Sequence, residues 1–351
     1  MNYQYTKQFR KALIDWFKQE QRDLPWRHTK EPYKIWVSEV MLQQTRVDTV
    51  IPYYNRFIEK YPTAENLAYA SEEELLKMWE GLGYYSRARN LQAGVREVVE
   101  TYGGKVPDNR VDISKLKGVG PYTAGAILSI AYGKPEHAVD GNVMRVLSRV
   151  LNIDADISLP KTKKIFEDAV TELIDLNNTS AFNQGLMELG AVICTPTSPK
   201  CLLCPVRDYC TAFQEGDPST LPVKSKKVKT KSIEYDVFVV RDPSGRFLME
   251  KRSSAGLLAN MWQFIMVERL EGEDSLSKLE KQYGLVLDKQ LAVPIVDFKH
   301  VFSHLKWQIE SHLVDCKSEG TLPEDAAFLT KEQINLLPMP VPMLKIWDKL
   351  K

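Results

Sequence analysis

Residues 116–125, "LKGVGPYTAG", set two glycines two apart, place a proline and a tyrosine directly behind them, and lead into an apolar run. Without Cβ atoms, Gly118 and Gly120 can take positive φ and bring their amides against an external group. Pro121 is a favoured first helical residue. Free amides at a helix N-terminus form an anion site, and a phosphate is its natural occupant. With "DISKL" before it, the stretch reads as helix, glycine turn, helix. A tight turn with no ligand fits these residues equally well.

Outward from this turn, the pattern is helical over residues 6–194, with Phe9, Leu13, Trp16 and Phe17 on one face. "SEEELLKMWEGLG" opens on a capping-box pair, Ser71 and Glu74, and closes on glycine. No convincing strand occurs there. After the lysine run "PVKSKKVKTKS" (Lys224, Lys226, Lys227, Lys229, Lys231) the pattern changes. "YDVFVVRDPSGRFLMEKR" reads as two alternating strands joined by a Pro-Ser-Gly turn, "HLKWQIESHLV" as a further strand, and "EDSLSKLEKQYG" as a helix. A chain of 351 residues is long for one core. The expected organisation is an all-α domain over 1–220, a lysine-rich linker over 221–232, and an α+β domain over 233–351. The linker is either a solvated connector or a strap for phosphate.

Lys plus Arg total 47 and Asp plus Glu 46, so net charge gives no footprint for a nucleic acid. The first residues, "MNYQYTKQFRKALIDWF", have no apolar core of signal-peptide type, and no run approaches a membrane span. An intracellular, cytoplasmic protein is expected. Four of the five cysteines crowd into one segment, unlike a secreted disulfide framework. Their spacing, Cys194-x6-Cys201-x2-Cys204-x5-Cys210, contains one C-x2-C pair, whereas zinc sites usually use two. An iron–sulfur cluster fits a wrapped four-cysteine loop better, with zinc as the alternative.

Two carboxylates stand out. Glu39 lies within "KIWVSEVMLQQT" among apolar residues, where desolvation would raise its pKa and keep a proton near neutral pH. Asp140 precedes the periodic helix of "AVDGNVMRVLSR", a capping position that favours the ionised form. One acid held protonated and one held charged could expel a leaving group and stabilise the sugar cation left behind. A surface glutamate and a simple helix cap are the plain alternatives.

The order of these parts, Glu39 in "SEVMLQQT", then "LKGVGPYTAG", "VDGNV" and the four-cysteine loop, resembles the helix-hairpin-helix DNA glycosylases of the endonuclease III superfamily, and within it the MutY-type adenine DNA glycosylases. The resemblance covers essentially the whole chain. It implies a multidomain protein: an all-α glycosylase domain with one 4Fe-4S cluster held by the four cysteines, then a Nudix-like (MutT-like) C-terminal domain. By resemblance Gly118, Val119 and Gly120 hold a DNA phosphate through their amides. Bifunctional relatives carry lysine where this chain has Tyr122, so the implied enzyme is monofunctional and leaves an abasic site without breaking the strand. The implied roles make Glu39 the acid that protonates adenine and Asp140 the stabiliser of the oxocarbenium ion, with Asn142 ordering that site. Arg22, Trp26, Arg27 and Gln184 match the adenine pocket. Gln44 and Tyr84, with Leu42 and Thr45 flanking the first, match the wedge that fills the duplex when the base flips out. Lys200, in the cluster loop, would face a phosphate.

"GLLANMWQF" and "SLSKLEKQYGL" keep the glycine of a Nudix box but lack its Arg-Glu and paired-Glu cluster, so phosphohydrolase activity is not expected. Phe302, Ser303 and His304 match the loop that in MutY-type proteins contacts 8-oxoguanine. The implied partner is double-stranded DNA carrying A:8-oxoguanine or A:G mispairs, bound by a monomer. A thymine or oxidised-base glycosylase would not be expected to carry the C-terminal domain. A non-catalytic mismatch binder would not need both Glu39 and Asp140.

Overall fold

The computed structural model describes residues 3–225, 230–318 and 320–351. The central lysines 226, 227 and 229 of the linker lie outside them. By packing, the chain falls into two compact units, 1–69 with 89–226 and 70–88 with 227–351. The expected partition at 220 therefore needs one correction. Residues 70–88, helical in sequence pattern, pack with the C-terminal unit; a capping signal identifies a helix but not its packing partner.

Among the described residues up to 225 the regular structure is helical throughout. The Thr6–Glu20 helix buries Phe9, Leu13, Ile14 and Phe17 and packs on the long Thr179–Val192 helix. Gly185 permits that approach, since a Cβ there would stand 3.2 Å from Leu13 Cγ. Val143, Val146 and Leu147 of the Gly141–Val150 helix, and Phe182 and Leu186, complete this core. No helix among the described residues is long and apolar enough to cross a membrane.

The hairpin consists of the short Arg110–Ile113 helix, capped by the Asn109 side chain, and the Pro121–Ile130 helix. Only one of its two glycines takes positive φ. Gly118 sits at φ +77°, and a Cβ there would lie 2.8 Å from Asn90 Cβ. Gly120 has φ −88°, and a Cβ on it would meet nothing within 4 Å. The fold itself accounts for Gly118, while Gly120 leaves open space outside.

Gly125, within the second hairpin helix, is tighter still: a Cβ there would sit 1.8 Å from the His137 carbonyl oxygen. Backbone cannot swing aside as a side chain does, and overpacking of this kind costs about 3 kcal/mol or more. Gly125→Ala should lower the thermal midpoint of the helical unit by roughly 6–12 °C, a shift that calorimetry would resolve.

The C-terminal unit is built on a mixed sheet of eight strands, β1 (Lys231–Arg241), β2 (Phe247–Lys251), β3 (Trp262–Gln263), β4 (Ile265–Glu268), β5 (Val286–Leu287), β6 (Val293–Val301), β7 (Leu305–Ser318) and β8 (Ala326–Leu329). β1 runs parallel to β7, with Lys231 opposite Leu305 and Arg241 opposite Asp315. β6 and β7 form an antiparallel hairpin with Val301 opposite Lys306. The alternation expected for β1 is not observed. Residues 236–240 are buried consecutively, as in a strand covered on both faces. Leu279 and Tyr283 of the Ser275–Tyr283 helix pack against Phe238 and Val240. Trp347 of the Val341–Trp347 helix meets Phe247 edge-on at 5.4 Å.

Candidate active site and iron–sulfur loop

The helical unit holds an open cleft of about 2190 Å³, solvent at its mouth included, whose walls bring together Arg22, Trp26, Arg27, Glu39, Leu42, Gln44, Thr45, Tyr122, Asp140, Asn142 and Gln184. Glu39 enters from the Pro32–Leu42 helix, which is buried from Tyr33 to Met41 apart from Lys34 and whose first turn is held by the Glu31 side chain. The residue is 5% exposed. Burial, and less strongly the neighbouring Asp140, push its pKa up to about 7, against the hydrogen bond from Tyr122 and the charge of Arg27. The Tyr122 hydroxyl donates to Glu39 Oε2 at 2.5 Å, and burial and the two nearby carboxylates push its own pKa well up.

Asp140 caps the Gly141–Val150 helix, its Oδ1 accepting from the Val143 amide at 2.7 Å and its Oδ2 from Asn142 Nδ2 at 3.0 Å. The expectation that capping lowers its pKa is corrected. Burial raises it, and the capping bonds oppose but do not cancel that cost. The support continues inward: Arg145 Nη2 donates to Asn142 Oδ1 at 2.8 Å, and its Nε donates to the Cys194 carbonyl at 2.8 Å. Gly190 lets this chain pack, because a Cβ there would stand 2.7 Å from Asn142 Cβ.

Sequence reasoning missed Glu188. This residue, 2% exposed, accepts from Arg22 Nη2 and Arg27 Nη2, each at 2.8 Å. Burial alone would raise its pKa, but the two arginines outweigh burial and bring it down to about 2. Both arginines expected at the pocket are therefore fixed by one carboxylate, leaving a net positive charge. The available signal was its position one helical turn after Gln184. Trp26 lines the cleft while its ring also packs edge-on against Tyr54 at 5.5 Å. Gln184 Nε2 donates to Ser180 Oγ at 3.0 Å.

The residues expected to wedge the duplex share a backbone feature. Gln44 and Tyr84 have φ of +58° and +47°, an uncommon state for residues with a Cβ, found where surrounding structure over-determines it. Gln44 lies just past the C-cap of the Glu39 helix, in the cleft wall, whereas Tyr84 belongs to the C-terminal unit. At the hairpin, the Val119 amide donates to the Leu116 carbonyl at 3.1 Å. This corrects the expectation that all three amides are available. Among the described residues, those of Gly118 and Gly120 donate to no backbone carbonyl.

In the C-terminal unit, residues 302–304 form the tight turn between β6 and β7, closed by the Phe302 amide on the Leu305 carbonyl at 2.7 Å. The Phe302 ring packs against His300 at 4.6 Å and Trp307 at 4.7 Å, while Ser303 and His304 are exposed.

Cys194, Cys201, Cys204 and Cys210 line one small cavity in the helical unit. Burial pushes the Cys204 thiol up to about 12 and that of Cys210 to about 11. Thiolates in this cavity therefore need a positive centre to form. Four cysteine thiolates converging on one cavity form the donor set of an iron–sulfur cluster. Arg149, 1% exposed, donates to Cys194 Sγ at 3.2 Å and to the Thr195 carbonyl at 2.8 Å. Lys200 is exposed on the same loop.

Comparison with known proteins agrees with both features. Residues 37–174 match the HhH-GPD superfamily base excision DNA repair proteins, 194–210 the iron–sulfur binding domain of endonuclease III, and 236–349 the NUDIX domain. The chain is 37% identical to the adenine DNA glycosylase of Mus musculus, covering 93% of this chain and 74% of that protein. It is 36% identical to that of Homo sapiens, covering 97% and 73%. A solved thermostable thymine-DNA glycosylase is 33% identical with a TM-score of 0.55, covering 60% of this chain and 97% of that one. A trapped endonuclease III–DNA covalent intermediate is 26% identical with a TM-score of 0.52, covering 61% and 98%. The cofactor is a 4Fe-4S cluster. With an iron–sulfur loop, a helix-hairpin-helix repair domain and a Nudix-type domain in one chain, this DNA N-glycosylase belongs to the adenine DNA glycosylase family.

Proposed function

We propose that the protein hydrolyses the N-glycosidic bond of adenine mispaired with 8-oxoguanine, and less efficiently with guanine, leaving an intact strand with an abasic site. The observation that carries the reading is a buried carboxyl group, Glu39, with its pKa raised to about 7 beside a second carboxylate, Asp140, in one cleft. Adenine leaves poorly as an anion, so a proton from Glu39 to an imidazole nitrogen of the base makes it a neutral leaving group. The deoxyribosyl oxocarbenium ion that forms gains a nearby negative charge from Asp140, held in place by Asn142 and Arg145. Water then adds with Glu39 as base. Tyr122 supplies no amine for a Schiff base, so hydrolysis ends at base loss.

Gln184, Trp26, Arg22 and Arg27 serve as pocket walls, and an amide such as Gln184 suits adenine's donor and acceptor edge. Gln44 and Tyr84 fill the gap in the duplex, flanked by Leu42 and Thr45. The amides of Gly118 and Gly120 hold a phosphate, and the open space over Gly120 admits it. Cys194, Cys201, Cys204 and Cys210 hold the cluster. Hydrolysis moves no electrons, so the cluster's contribution when bound is to stiffen its loop and present Lys200. The C-terminal residues from 233 recognise the opposite base through Ser303 in the loop shaped by Phe302 and His304. The protein acts as a monomer, with DNA inside the cell.

The test is a single-turnover panel with adenine opposite 8-oxoguanine, guanine or thymine. The expected order is fastest opposite 8-oxoguanine and slowest opposite thymine. Equal rates would remove the recognition claim, and release of thymine in place of adenine would favour a thymine glycosylase. The pH profile follows from Glu39. The protonated form is the acid, so base release should fall about tenfold for each unit above about pH 7, and fall again on the acid side where Asp140 gains its proton, as read from single-turnover rates.

A further inference from the structure

Residues 70–88 are flanked in sequence on both sides by the helical unit, and the repair-family match includes them, yet they pack with the C-terminal unit. The Glu72–Met78 helix and the turn after it are attached by a row of polar contacts. Asn260 Nδ2 donates to Glu72 Oε1 at 2.8 Å, and Trp262 Nε1 donates to Glu73 Oε1 at 2.7 Å. One turn further on, Lys77 Nζ donates to the Leu337 carbonyl at 3.0 Å, and Glu80 Oε1 accepts from the buried Met339 amide at 2.8 Å. Lys77 and Glu80 also pair with each other at 2.9 Å.

The far end of this segment is also fixed. Arg87 lies over the Tyr84 ring at 5.5 Å and donates to the Leu82 and Gly83 carbonyls at 3.2 and 3.1 Å. Tyr84, 44% exposed and in the left-handed region, places its hydroxyl 3.5 Å from Ser303 Oγ. A non-glycine residue in that region persists only where the surrounding structure over-determines it. We propose that residues 72–88 form a strap whose polar latch, Glu73 to Trp262 and Glu80 to Met339, positions Tyr84 against Ser303 and so sets the preference for the base opposite the adenine. The latch residues touch neither adenine nor its partner and are positioning residues. This inference rests on the opposite-base reading given above.

The test uses the full protein with Glu80→Ala, which leaves the Met339 amide without its carboxylate, and separately Trp262→Phe, which keeps the ring and removes the donor to Glu73. Each should reduce the ratio of single-turnover rates, 8-oxoguanine over guanine, by roughly tenfold, the effect of one lost hydrogen bond to a charged group. The rate opposite guanine should stay within about twofold. A purely structural role would lower both rates together and leave the ratio unchanged; that result, or no change in either rate, overturns the strap. Should Glu80→Ala fail to fold in a melting experiment, Trp262→Phe decides alone. If the unsubstituted protein shows no preference for 8-oxoguanine, the opposite-base reading falls and the strap with it. A preserved preference that both variants keep overturns the strap only.

Discussion

Glu39→Gln should reduce adenine release by about 10³–10⁴-fold while leaving duplex affinity, read by gel shift, nearly unchanged. The amide keeps the size of the side chain and an oxygen facing the Tyr122 hydroxyl, so the cleft is preserved and the transferable proton is lost. The same substitution should make the protein more stable, for a separate reason. The folded pKa of Glu39 is raised from 4.5 to about 7, so the folded state binds this proton more tightly than the unfolded state. Stability from this group is complete below about pH 4.5, is lost as pH rises towards 7, and does not change further above it. Relative to the parent, Glu39→Gln should therefore gain a few kcal/mol in that interval and keep the gain at higher pH. Loss of activity together with a higher melting temperature at pH 8 is the signature of an acid buried for chemistry. Loss of both would mark a structural residue.

Asp140→Asn should lower single-turnover release by about 10³-fold, the scale seen when a preorganised charge is removed from a developing transition state. Its stability should not fall, because an asparagine can still cap the Gly141–Val150 helix through Val143 and the cost of burying a charge is removed. The two halves of the prediction separate the competing roles of Asp140. A mere helix cap would lose neither rate nor stability on becoming asparagine, whereas a charge that stabilises the sugar cation loses rate alone. Raising the pH should not restore Asp140→Asn, since an amide has no proton to lose.

The parts of this site that were legible in the sequence rest on local signals. Glu39 within an apolar helix, Asp140 ahead of a periodic run, and the cysteine spacing each lie within one short segment, and each ends in the cleft or the cluster cavity. The parts that were not legible depend on distant pairings. Glu188 meets Arg22 and Arg27 across 166 and 161 residues of sequence, and no local periodicity encodes that encounter. Arg149 behaves likewise toward the cysteine loop, where a buried arginine satisfies carbonyls and no carboxylate. The hairpin glycines show the same division in miniature. Sequence marks both as permissive, but only the packing of Asn90 shows that Gly118 is required internally and Gly120 is left for something outside. In the C-terminal unit the turn at 242–246 and the capped 275–283 helix were local and legible. The consecutive burial of β1 depends on helices from elsewhere in the chain and was not.

Glu39 removes adenine hydrolytically and leaves the strand uncut under the proposed function. The direct measurement is a single-turnover reaction on a duplex with adenine opposite 8-oxoguanine, followed for free adenine and for strand length with and without hot alkali. The expected result is adenine release by the parent protein, intact strands until alkali is added, and neither signal from Glu39→Gln over the same time. Strand breakage without alkali, or adenine release at the parent rate by Glu39→Gln, would contradict it.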